Sequence, residues 1–150
     1  MGIEEDIKQG KAYDNPIEKL IVNIMFTNSW LMDQQGQIFK PFGLTAPQYN
    51  VLRILRGQYP EPCTVNTLIE RMIDRMSNAS RIVDRLEVKQ LVERTVCEKD
   101  KRAKDVLITE SGLLLLEKVD MALQQWLKSL EKISGDKANQ LSESLDLLRA

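Results

Sequence analysis

Histidine is absent from the 150-residue chain. That absence excludes Ser–His–Asp triads, imidazole acid–base chemistry and histidine-ligated metal sites. Cysteine is scarce. Cys63 and Cys97 stand outside any paired motif and are too few for a zinc site built on thiolates alone. Both read as structural residues, with redox sensing as the alternative. Apolar runs longer than a few residues are also missing, so no membrane partner is expected. Residues 1–15 carry charges without the apolar core of a signal peptide, so the expected location is cytoplasmic. No polar set converges in the sequence, so neither an enzyme nor a bound cofactor or metal is expected.

What is present is an ordinary globular composition, 43% apolar and 29% charged, long enough for one domain with a true core. The net charge of −1 conceals an uneven distribution. Between Arg71 and Lys104 there are ten basic residues (Arg71, Arg75, Arg81, Arg85, Lys89, Arg94, Lys99, Lys101, Arg102 and Lys104) and six acidic ones. That window therefore carries a surplus of four, leaving the rest of the chain five negative, which predicts one basic face on an acidic molecule.

Periodicity divides the chain. Ile17, Ile24, Leu31 and Ile38 recur every seven residues, with Leu20, Ile21 and Met25 beside them, and Asn15-Pro16 supplies a cap. The spacing predicts a long helix from 16 to 39, broken near Pro41 and Gly43. Thr45 with Gln48 forms a capping box for a second helix carrying Tyr49, Leu52 and Leu55, ended by Gly57, Pro60 and Pro62. A short third helix starts at Thr64. Asp74 is the expected cap of a fourth that runs to about Lys89. Two Val-rich strands, 91–97 and 104–108, then flank the charged segment 98–103. Thr109 caps a fifth helix to about Ser129, and Ser134-Gly135-Asp136 precedes the last one. Two short helices and a charged hairpin in this order predict a mainly α (α+β) winged helix-turn-helix with a two-stranded wing.

On a helical wheel, Met76, Ala79, Ile82, Val83 and Leu86 of the fourth helix share one arc. The opposite arc holds Ser77, Arg81, Asp84, Arg85 and Val88, with Asn78 and Ser80 at its margins. Such a face suits the major groove, where asparagine pairs bidentately with adenine and arginine with guanine. Asp84 and Glu87 are expected to pair with Arg81, Arg85 or Lys89 along the helix. In the hairpin, Lys99, Lys101 and Arg102 favour a minor groove, with Asp100 orienting the Arg102 guanidinium and Lys104 close behind. The plainer alternative for both elements is a solvated charged surface.

Ser77 to Leu86, Leu91-Val92-Glu93-Arg94, Asp100-Lys101-Arg102 and Ile108-Thr109-Glu110-Ser111-Gly112 together resemble the MarR family of transcriptional regulators, and the element order resembles it over almost the whole chain. The resemblance implies a homodimer on double-stranded DNA with palindromic half-sites. Residues 1–40 and 110–150 would be dimerisation helices within a single domain, and 45–109 the DNA-binding core. It makes Ile17, Leu20, Ile21, Leu127, Leu141, Leu145 and Leu148 interface candidates, against the plain alternative of intramolecular core. It also implies a repressor released by a small apolar or aromatic effector, for which Met25, Trp30, Tyr49 and Met72 are candidate lining residues. Gln90 replaces the family's usual glycine before the first strand, and the cysteine of peroxide-sensing members is missing from the first helix. The competing function is a winged helix that grips an acidic protein and does not read DNA.

Overall fold

The computed structural model describes residues 2–96 and 104–150. Its elements are α1 (Ile3–Asp6), α2 (Pro16–Phe39), a 3₁₀ turn (Lys40–Phe42), α3 (Ala46–Gln58), β1 (Cys63–Thr64), α4 (Val65–Arg71), α5 (Ala79–Val88), β2 (Val92–Val96), β3 (Lys104–Ile108), α6 (Glu110–Ser129) and α7 (Gly135–Arg149). This is a mainly helical winged helix with long terminal helices.

The caps explain most of the boundaries. Asn15 Oδ1 accepts from the Ile17 amide at 2.9 Å, and Pro16 occupies the first turn, where its missing N–H is harmless. Gly43, at φ 68°, turns the chain out of the 3₁₀ segment and into α3. Thr45 and Gln48 exchange two side-chain-to-backbone hydrogen bonds of 3.2 Å, satisfying two orphan donors at the start of α3. Gly57 is carried inside that helix rather than ending it.

Three antiparallel strands form the sheet, in the order β1-β3-β2. The expected two-stranded wing is therefore joined by a third strand, two residues long, with Cys63 opposite Val106. Such a strand has no period of its own and exists only through its pairing with β3. The core lies where α3, α4 and α5 meet the sheet and the first half of α6. Val51, Leu52, Leu55, Leu68, Val83, Leu86, Val92, Val106, Ile108, Leu116 and Val119 are all fully enclosed there.

Two departures concern α5. Its cap is Asn78, not Asp74, so the helix begins four residues later than its periodicity suggests. Asp74 instead accepts from the Met76 amide at 2.9 Å and closes a local turn. Met76, expected on the buried arc, is 92% exposed. The helix ends in a Schellman motif: Leu91 N–H reaches Leu86 O at 3.0 Å and Gln90 N–H reaches Glu87 O at 2.9 Å, with Leu86 and Leu91 both buried. Gln90 occupies the left-handed position of that motif at φ 62°.

The terminal helices stand largely outside this core. Of its 24 residues, α2 buries only Phe39, and α7 buries none. The small α1 was not anticipated; it tucks Ile3 into the fold, and a 2.7 Å ion pair from Glu4 to Lys19 ties it to α2. That ion pair holds the Glu4 carboxyl below its ordinary pKa. No helix among the described residues is long and apolar enough to cross a membrane.

Candidate nucleic-acid interface

The amino-terminal ends of α3 and α5 share one cavity of about 320 Å³, lined by Thr45, Pro47, Gln48, Ser77, Asn78, Arg81, Ile82 and Arg85. Four of the residues singled out in the sequence line it: Ser77 is half-buried, and Asn78, Arg81 and Arg85 are exposed; Ser80 is exposed but is not part of the lining. No acidic residue lies in the first turn of α5, so the positive end of its dipole is left uncompensated there. Among the described residues, neither Arg81 nor Arg85 is tied up in an ion pair. A concave, cationic and donor-rich surface of this kind accommodates a phosphate backbone and an edge of base pairs.

Asn78 has a structural task as well. Its Oδ1 accepts from the Arg81 amide at 3.1 Å, capping α5. The helix behind the cap is oriented by Ala79, Val83 and Leu86, which are buried against α3, α4 and β2.

The expected pairing of Asp84 and Glu87 along the helix is not what forms. Asp84 pairs with Arg94 Nη1 of β2, and Arg94 Nη2 donates to Ser80 O at 3.1 Å, while the buried Nε finds no partner among the described residues. Arg94 is thus a brace from the wing strand to α5, only 16% exposed at its side chain. It was missed, although a signal existed. Strand alternation places Arg94 on the same face as the buried Val92, and an arginine turned inward needs partners. Lys89 likewise looks away from Asp84 and Glu87. Its ammonium donates to Gly43 O and to the buried Gln48 Oε1 at 3.1 Å, joining the end of α5 to the start of α3. Arg56 and Asp120, 2.5 Å apart, join α3 to α6.

A larger groove, about 650 Å³, runs between the end of α5, β2 and the start of α6. Glu87, Glu93 and Glu110 line it against the single cation of Arg94, so its net charge repels phosphate, and the basic side is the one beside α3. Lys104 is exposed at the head of β3, opposite Val96. Lys99, Asp100, Lys101, Arg102 and Cys97 lie outside the described residues.

The remaining candidates separate clearly. Ile17, Leu20, Ile21, Leu127, Leu141 and Leu148 are between 42% and 54% exposed, and Leu145 is half-buried. Of the effector candidates, Met25 and Trp30 stand exposed on α2, Tyr49 stacks on Phe39 with ring centroids 4.6 Å apart, and Met72 is enclosed in the core. Burial, aided by the Asp120 charge, raises the Tyr49 hydroxyl pKa. Cys63 is a buried strand residue whose thiol pKa is also pushed up by burial.

Comparison with known proteins adds the following. Residues 44–104 match the model of the MarR family. The HTH-type transcriptional regulator PapX of Escherichia coli is 24% identical over 103 residues, which cover 69% of this chain and 63% of PapX. The chain thus spans less than two thirds of that relative's length. Among solved structures, a MarR transcription factor from Planctomyces limnophilus superposes with a TM-score of 0.68 and 27% identity, covering 91% of this chain and 99% of that one. The S. aureus MepR–DNA complex matches the fold with a TM-score of 0.73 at 23% identity, over 84% of this chain and 93% of MepR.

Proposed function

We propose that the chain is a winged helix-turn-helix transcriptional regulator of the MarR family, whose model residues 44–104 match, and that it binds double-stranded DNA sequence-specifically, as a cytoplasmic homodimer. The observation that carries this reading is the cationic groove between α3 and α5, where among the described residues neither Arg81 nor Arg85 is held in an ion pair beside the cap of α5. The Arg94 brace holds the wing strand to the same helix, so both elements meet a duplex as one body. MepR, which shares this fold, has been solved with DNA bound. The reading division follows the elements: α2, α6 and α7 for dimerisation, and residues 45–109 for DNA.

Dimerisation is supported by what the monomer leaves uncovered. A 24-residue helix that buries one side chain, and a terminal helix that buries none, gain little from folding alone. The exposed Ile17, Leu20, Ile21, Leu127, Leu141 and Leu148 supply the apolar area that a second copy would cover. Two-fold symmetry then offers two reading helices, which must sit about 34–36 Å apart to enter successive major grooves. A repressor role follows if an apolar or aromatic effector alters that spacing. Met25, Trp30 and Tyr49 remain its candidate contacts beside α2, whereas Met72 is reached only through the core.

The test is a titration of a mixed-sequence duplex at increasing salt. With about six phosphate contacts, affinity should fall ~10³-fold between 50 and 200 mM. The absence of duplex binding at 50 mM salt overturns the proposal and favours the acidic-protein partner instead. Sedimentation checks the dimer: the native chain should run as a dimer, and Leu20→Glu with Leu141→Glu as a folded monomer. A monomeric native chain at micromolar concentration refutes it.

A further inference from the structure

Asn78 faces two demands on one amide. To pair with adenine, asparagine presents both atoms of its amide edge together, the nitrogen donating to N7 and the oxygen accepting from N6. In this structure the oxygen is turned into the first turn of α5, where it accepts from the Arg81 amide at 3.1 Å. Releasing it would orphan that amide and uncap a helix of ten residues. The cap takes one of the oxygen's two lone pairs and fixes the amide plane, so the edge cannot turn freely to an adenine, while among the described residues the NH₂ group makes no hydrogen bond at the groove that Asn78 lines with Arg81 and Arg85. Those two arginines fall on the same helical face, three and seven residues on, and an arginine has no acceptor at all.

We propose that Asn78 meets DNA as a donor only, holding the backbone in place, and that Arg81 and Arg85 carry base discrimination, favouring acceptor-rich guanine edges. This rests on the DNA-binding reading above and narrows it to a division of labour on α5. The aligned set of donors predicts half-sites whose strongest preferences are for guanine, with no adenine preference that depends on Asn78. Asn78 is the residue that positions the helix, through its cap and through phosphate, and the arginines specify.

The experiment uses the full-length protein and a duplex it selects from a random pool, substituted base by base. Asn78→Ser keeps a capping oxygen, so the melting temperature should hold while affinity falls by a similar factor on every duplex. Asn78→Asp also keeps the cap but removes the donor, and should weaken all duplexes still further without reordering them. Arg81→Ala should level the preference at one guanine, by about 5- to 150-fold. The proposal is overturned if Asn78→Ser levels discrimination at an adenine while the fold is intact, or if Asn78→Asp binds as tightly as the native chain. Failure of the native protein to bind any duplex in the same titration overturns the DNA reading itself, and this division of labour with it.

Discussion

Replacing Gln90 with glycine should stabilise the protein. Gln90 sits at φ 62°, in the left-handed region, because the Schellman motif at the end of α5 requires it. A residue with a Cβ loses roughly 1–2 kcal/mol in that conformation. Glycine removes the strain but brings ~0.5–1 kcal/mol of extra chain entropy to the unfolded state. The difference is a gain of about 0.5–1 kcal/mol, or about 1–4 °C in Tm for a chain of this size. Among the described residues, the native bonds at Gln90 are all made by its backbone: its N–H to Glu87 O, and its carbonyl to Thr109 Oγ1 at 2.8 Å. Glycine keeps both. Thermal unfolding at fixed protein concentration, with Gln90→Ala as control, measures the effect, since a dimer's Tm moves with concentration. Alanine keeps the strain, so its Tm should stay below that of the glycine variant. Should Gln90→Gly be no more stable than the native chain, or fall level with Gln90→Ala, the argument from backbone strain is refuted.

Three other outcomes can be checked by equally direct means. Gly112→Ala should cost about 2–3 kcal/mol in denaturant titrations, because a Cβ there would lie 2.5 Å from Leu91 O and 2.7 Å from Ile108 Cγ1; a loss below ~1 kcal/mol would show that this contact yields easily. Thr45→Ala should lower stability by ~1 kcal/mol while Thr45→Ser restores most of it, and equal losses in both would mean the capping box contributes little. In a Cys97→Ser background, Cys63 should label with thiol reagents only on unfolding, since burial keeps it in the protonated form. Fast labelling of the native protein would contradict its place in the sheet.

Elements announced by both periodicity and a cap were legible: α2 from Asn15-Pro16, α3 from Thr45 and Gln48, α6 from Thr109, each starting where its capping residue indicates. The start of α5 was misplaced because two good caps lie four residues apart. Asp74 closes a turn and Asn78 caps the helix, and local pattern alone does not choose between them. The strand β1 was invisible for a different reason. Its two residues become a strand only when β3, some forty residues later, lies beside them. The ion pairs were missed through the same locality: Asp84 has basic neighbours on its own helix, yet its partner arrives from β2. The strained turn was foreseeable from the resemblance, because the family's usual glycine stands before the first strand and this chain has Gln90 there.

The tight seat of Gly112 has a mechanical consequence. With no room for a Cβ at Gly112 between the Leu91 carbonyl and Ile108, and Thr109 bonded to both Gln90 and Leu91, the head of α6 is clamped to the corner where α5 turns into β2. The helix then extends for 20 residues, about 30 Å, with nothing buried after Val119, although Asp120 pairs with Arg56 and Leu123 still packs against the core. A rod held along its first half passes a sideways push on its last turns to the parts that hold it. Tilting the whole rod by about 4° moves its tip by about 2 Å.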